Sequence, residues 1–192
     1  MSYLKISKNF YYYEVRPHNK PKSWIPSSKY QNSLVLNVIK NVQVVRNEFS
    51  AGAYMIITSG VRTLEDHQRL LDSGYNPSIT SDHYFGEAPK IPIGIYKHKK
   101  YGVTYNFAMG AVDIVSVGVS IANMFDIAID LTEQNKCSFG QIIHESSSSG
   151  KEWVHFGGDP KPFLSKDMID FLNKKKYMIS VDNGHTYKEL KS

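Results

Sequence analysis

Val35, Ile39, Val42, Val45 and Phe49 recur at spacings of three and four through residues 29–49. Only a helical backbone brings positions so spaced onto one face. A helix with a single apolar stripe has to bury it against another layer, so this segment commits the chain to a packed, layered domain. Gly52 ends the helical stretch. The short apolar run Ala53 to Thr58 follows and reads as a buried strand closed by the Ser59-Gly60 turn.

The rest of the chain alternates helix and strand signals. Thr63 with Asp66 three residues on is a capping pattern for a short helix to Asp72. Residues 73–110 read as loop, with a hairpin around Tyr101 to Phe107. Ala111 to Val117 alternates as a strand does, and Ser120 to Gln134 is a second amphipathic helix. Phe139 to His144 and Glu152 to Phe156 are strands joined by a polar, serine-rich connection, hence a hairpin. Ser165 to Lys175 reads as a last helix, and Asn183-Gly184 as a tail turn. The expected class is α+β, with a small antiparallel sheet packed with helices. Three segments follow: an N-terminal arm over 1–28, aromatic and proline-bearing and lying on the surface; a domain over 29–176; and a tail over 177–192.

Composition bounds the chemistry. The single cysteine, Cys137, excludes a disulfide framework and a cysteine-rich zinc site, so a metal would be held by His, Asp or Glu. The net charge of +5 favours acidic partners, although lysines at 97, 99, 100 and 174–176 supply much of it and fit a solvated surface equally well. No basic start followed by an apolar run marks a secretory signal, and no run approaches the ~18 apolar residues of a membrane span. Synthesis as a soluble cytoplasmic product is therefore expected.

Three local features carry chemistry: Ser81 to Ala88 around His83, Ala111 to Ile114 around Asp113, and Glu152 to His155. A carboxylate inside an apolar strand is costly unless paired or ligated, which singles out Asp113. Two imidazoles and one carboxylate would give a catalytic zinc three ligands and leave one position for water. A further carboxylate could then move the proton. Glu152 and His155 are three residues apart, so on a flat strand they face opposite ways, and a twist or bulge is needed to join them at one site.

These residues, in this order, resemble the zinc D-Ala-D-Ala peptidases of the Hedgehog/D,D-peptidase fold, a family that includes carboxypeptidases, dipeptidases and phage L-alanyl-D-glutamate endolysins. Ser81, His83, Gly86 and Ala88 fit its Ser-x-His-x-x-Gly-x-Ala-x-Asp stretch, and Glu152, Trp153 and His155 fit its ending. Ser59-Gly60-Val61-Arg62 is similar to its Ser-Gly-x-Arg turn, and Ser7 to Phe10 with Glu14 is similar to the opening of a phage- and bacteria-borne branch. Where the family has its Asp, this chain has Lys90, and the Asp-Ile pattern returns at Asp113-Ile114, which implies an inserted loop over about 89–110. Glu87 and His98 are substitute ligands if that reading of Asp113 fails.

The resemblance implies zinc on His83, Asp113 and His155, Glu152 as general base with Glu145 as its rival, and Arg62 steadying the oxyanion. Ser81, Trp153 and His144 would contact substrate. The implied activity is hydrolysis of peptidoglycan stem peptides by a cell-wall lytic enzyme, with no nucleic acid and no membrane span involved. The alternative is a structural or wall-binding virion component, assembled with virion or tail partners, that keeps the fold without activity.

Overall fold

The helix over 29–49 has one apolar stripe because it covers a sheet whose other face it leaves free. In the computed structural model, residues 3–75, 77, 81–84, 95–97, 104–106, 109–163, 166, 177–180 and 186–190 are described. A short helix α1 (Tyr12–Val15) is followed by α2 (Lys29–Asn47), β1 (Tyr54–Ser59) and α3 (Leu64–Asp72). A single 3-10 turn spans Asp82–Tyr84; then come β2 (Ile95–Lys97), β3 (Thr104–Asn106), β4 (Ala111–Val117), α4 (Ile121–Glu133), β5 (Phe139–Ser146), β6 (Glu152–Gly158), β7 (Tyr177–Ser180) and β8 (Lys188–Glu189).

Six strands form one sheet in the order β1-β4-β6-β5-β7-β8. The β1–β4, β4–β6, β5–β6 and β7–β8 pairs are antiparallel, whereas β5 and β7 are parallel. The α+β class with helices packed on a mainly antiparallel sheet is thus present, with one parallel pair that strand patterning did not anticipate. Among the described residues β2 and β3 pair only with each other, within the segment read as an insertion. The hairpin expected around Tyr101 to Phe107 uses Ile95–Lys97 as its first strand instead.

Strand alternation separates core from cleft. Val112 and Ile114 of β4, Val154 and Phe156 of β6, and Ile142 of β5 are buried with Leu34, Val35, Val38 and Val42 of α2 and Met124 and Ala128 of α4. Burying such side chains contributes about 1.5–3 kcal/mol each and holds both helices on this face. Residues one step out of phase, including Asp113, His155 and Glu145, emerge on the opposite face. Ser28 caps α2 by accepting from the Gln31 N–H at 3.0 Å, and Thr63 with Asp66 forms the expected reciprocal cap on α3.

Both chain ends join this architecture more closely than the sequence suggested. Phe10 and Val15 of the arm are fully buried in the core, and residues 177–180 add a strand beside β5. The last helix, expected over 165–175, is described only at Lys166, and Asn183-Gly184, Gly86, Glu87, Ala88, Lys90 and His98 lie outside the described residues. Among the described residues no helix is long and apolar enough to cross a membrane.

Candidate metal centre and cleft

Asp113 stands directly across the β4–β6 ladder from His155. Residues paired across a ladder put their side chains on one face a few ångströms apart, and Asp113 Oδ1 lies 2.9 Å from His155 Nδ1. His83 arrives from the 3-10 turn, with Nε2 3.2 Å from the same oxygen. Its other ring nitrogen, Nδ1, is 2.8 Å from the Gly60 carbonyl, to which it donates. That bond fixes the tautomer and turns a bare Nε2 toward Asp113, an arrangement that suits metal ligation. The donor atoms of His83, Asp113 and His155 all lie within 4.8 Å of one another, so the group could hold a metal ion. Donors bound at 2.0–2.2 Å to one tetrahedral ion sit roughly 3.3 Å apart, close to the 3.2 and 2.9 Å that separate the two ring nitrogens from Asp113 Oδ1.

The protonation states follow from burial and pairing. Burial alone would raise the Asp113 pKa, but the charges and hydrogen bonds of His83 and His155 outweigh it and hold the carboxyl well below its usual range. Burial pushes His83 down, and the nearby Arg62 adds to this against the pull of Asp113. Burial would lower His155 too, yet its bond to Asp113 and the surrounding carboxylates leave it raised. Of the two imidazoles, His155 is thus the one whose protonated form is favoured, and a metal held there would displace that proton. Affinity for a metal ion is expected to climb with pH, by up to about tenfold per unit, as long as His155 is protonated, and to level off once it is neutral. The proton released on metal binding is expected to come from His155 rather than from His83, whose neutral form burial favours. An affinity that stays flat between about pH 6 and 8 would remove His155 from the ligand set.

The turn after β1 carries the cluster's support. The Arg62 N–H donates to the His83 carbonyl at 2.8 Å, and its guanidinium donates to Ser81 Oγ at 3.3 Å. Ser81 Oγ also accepts from the His83 N–H at 3.3 Å, so this hydroxyl positions both residues as well as lining the cleft. Arg62 is half-buried, and its desolvation lowers its pKa against the pull of Asp113. The N-terminal arm braces the same turn: the Val61 N–H donates to the Val15 carbonyl at 2.8 Å. A Cβ on Gly60 would meet Val15 O at 2.5 Å and Val15 Cα at 2.6 Å, both backbone atoms. Gly60→Ala must therefore push the arm away from the turn that anchors His83 and Arg62. It is expected to cost about 1–3 kcal/mol in thermal unfolding and about 10–100-fold in affinity for a metal ion held by the cluster. Wild-type affinity in that variant would show that the brace does not govern His83.

Glu152 and its rival Glu145 leave the β5–β6 pair on opposite faces. The β5–β6 ladder runs without a bulge from Phe156 to Glu152, so Glu152 leaves the strand on the face opposite His155. Glu152 stands at the cleft rim, 50% exposed, with Oε1 3.5 Å from His144 Nε2. His144 shares its face, with its ring 5.7 Å from that of Phe125 on α4, away from the cluster. Glu145, in contrast, is paired across from Trp153, on the face of His155. Burial and the Asp113 charge raise its pKa to about 7, against the opposing pull of His155, Trp153 and Arg62. Trp153 lines the cleft beside it, its buried indole N–H making no hydrogen bond of ordinary geometry.

His83, Asp113, His155, Arg62, Ser81, Glu145 and Trp153 border one cleft of about 850 Å³ that crosses the free face of the sheet from β1 to β7, whereas His144 does not line it. Asp82, which sequence reading passed over, fixes its floor: Oδ1 accepts from the Met109 N–H at 3.0 Å and its carbonyl accepts from the Gly110 N–H at 3.1 Å. This ties the entry to β4 to the turn that carries His83. Its only sequence signal is its place beside that histidine. No known protein family, curated protein or solved structure matches the chain.

Proposed function

We propose that the chain is a zinc-dependent peptidase acting on the peptide stems of peptidoglycan. The observation that carries this reading is the convergence of His83 Nε2, His155 Nδ1 and Asp113 Oδ1 at the foot of a long cleft. The donor set suits zinc, since two imidazoles and one carboxylate leave a bound divalent ion with net positive charge and an open position. Zinc bound there would act as a Lewis acid and bring the pKa of its water from 15.7 toward ~7.

The chain's own residues supply the remaining parts. Glu145 takes the proton of the attacking water and returns it to the leaving amine. Its raised pKa, about 7, suits a group that must both accept and donate near neutrality. Arg62, held by Ser81, faces the peptide carbonyl and offsets the charge that develops on its oxygen. Trp153 flanks the base across the ladder. The choice of peptidoglycan comes from the sequence resemblance around residues 59–62, 81–88 and 152–155. The positive charge of the chain favours approach to an anionic wall. Release from an infected cell, or carriage on a virion, would deliver it there.

The test combines metal analysis with digestion of purified peptidoglycan. One zinc per chain and new amino termini in the digest are expected, with cleavage lost on chelation and restored by zinc. A chain that neither contains nor takes up zinc would overturn the proposal in favour of a structural or wall-binding virion component.

A further inference from the structure

The basic charge of the chain is unevenly placed. Residues 3–25 carry Lys5, Lys8, Arg16, Lys20 and Lys22 against one carboxylate, Glu14, a net +4 of the chain's +5. The remainder, its lysine runs included, is close to neutral. Glu14 lines the cleft and accepts from the Tyr11 N–H at 2.7 Å. The arm meets one other carboxylate among the described residues, Glu65 of α3, which accepts from the Asn19 side-chain amide. The four lysines are exposed and stand in no ion pair among the described residues.

Aromatic and aliphatic side chains share this surface. The Tyr13 ring has Tyr3 and Tyr11 beside it, with centroids 4.8 and 5.5 Å away. Lys5 Nζ stands 5.4 Å from the Tyr11 centroid and Lys22 Nζ 6.0 Å from that of Tyr3, so two ammonium groups frame the stack. Among the described residues Leu4, 59% exposed, and Ile25, 54% exposed, are the most exposed large hydrophobic side chains, and both belong to this segment. The segment is pinned in place. The Tyr12 N–H donates to the Leu4 carbonyl at 3.1 Å and the Ile6 N–H to the Phe10 carbonyl at 2.9 Å, while Phe10 and Val15 are buried in the core. The surface is therefore preformed, and little loss of freedom opposes binding to it.

We infer that the arm docks on an anionic lipid bilayer, with Lys5 and Lys22 at headgroup phosphates and Tyr3, Leu4 and Ile25 entering the interface. Lysine beside tyrosine and aliphatic side chains is what a bilayer interface accepts: the ammonium stays with the phosphates and the apolar groups leave water. Lys8 and Lys20 add to the attraction toward the negative surface. A hydrated polyanion would use the lysines but leave Leu4 and Ile25 in water. Base stacking needs open ring faces, and here the tyrosines are taken up by one another and by the lysines. Arg16 and His18 of the same arm line the cleft, so docking holds the cleft mouth beside the membrane surface.

The test is co-sedimentation of the full chain with vesicles. At low salt, phosphatidylcholine vesicles containing one third phosphatidylglycerol are expected to bind it roughly 20-fold more tightly than phosphatidylcholine alone, and the advantage should shrink at about 0.5 M salt as screening sets in. Lys5→Gln with Lys22→Gln should weaken binding to the anionic vesicles roughly 20-fold, about fivefold per charge. Leu4→Ser with Ile25→Ser should weaken it about 10-fold or more. These side chains are exposed, so thermal unfolding should not move in either double variant. Three results overturn the inference: wild-type protein that binds neither vesicle or both equally, anionic-vesicle affinity that survives loss of the two lysines, or a serine variant that binds as the wild type does, the mark of a site for soluble polyanions. The outcome should be the same for metal-free and zinc-loaded protein, which keeps it separate from the peptidase reading.

Discussion

Replacement of Asp113 by asparagine is expected to abolish zinc binding while the chain stays folded. Asp113 Oδ1 is the atom both imidazoles face, at 3.2 Å from His83 Nε2 and 2.9 Å from His155 Nδ1. Asparagine keeps the volume and an oxygen but loses the charge that makes the site attractive to a cation. Removal of an outer partner of a metal ligand costs roughly 10–100-fold in affinity, and loss of the sole anionic ligand should exceed that. The neighbours on β4, Val112 and Ile114, remain fully buried, so the sheet has no reason to open. The reading is differential: zinc at about 100 times its dissociation constant should stabilise the wild type by ~2.7 kcal/mol and leave Asp113→Asn where it was. A variant that still takes up one zinc with unchanged affinity would remove Asp113 from the centre.

The second large effect is expected at Glu145. Glu145→Gln should retain zinc and lose about 10²–10⁴-fold in hydrolysis, the range of general acid–base catalysis. Glutamine cannot accept the proton, yet it preserves the shape of the strand face opposite Trp153. Glu152→Gln should stay within a few-fold of wild type, because Glu152 leaves β6 on the other face and stands half exposed beside His144. The reverse outcome, with activity lost at Glu152 and kept at Glu145, would return the base to the rim residue. The pH profile adds a check with a definite sign. A base works ionised, so the rate should rise with pH along an acid limb. That limb should sit at or below the Glu145 pKa of about 7, because a bound cation favours the carboxylate.

Much of the framework was legible because its signals are local. The stripe on α2, the Thr63–Asp66 cap and the alternation of β4 each depend on a few neighbouring residues and a fixed backbone period. Asp113 was conspicuous for the same reason: a carboxylate in an apolar strand needs a partner, and two histidines supply it. Other features depend on distant pairing. Nothing local to residues 177–180 distinguishes a tail from a strand parallel to β5, and nothing in residues 10–15 reveals that they brace the turn after β1.

The choice of carboxylate shows where the boundary lies. The amino-acid order placed Glu145, His144, Glu152 and His155 on two adjacent strands, and alternation made Glu152 and His155 opposites unless a bulge intervened. Whether it did was a matter of the ladder, and the regular pairing from Phe156 to Glu152 leaves Glu145 on the face of Asp113 and His155 and turns Glu152 and His144 to the other. The sequence by itself determined the residue types, the helical and extended periods and the need to neutralise Asp113. Only the tertiary structure decided which side chains share a face, because register and the close approach of arm to turn are set by contacts between segments far apart in the chain.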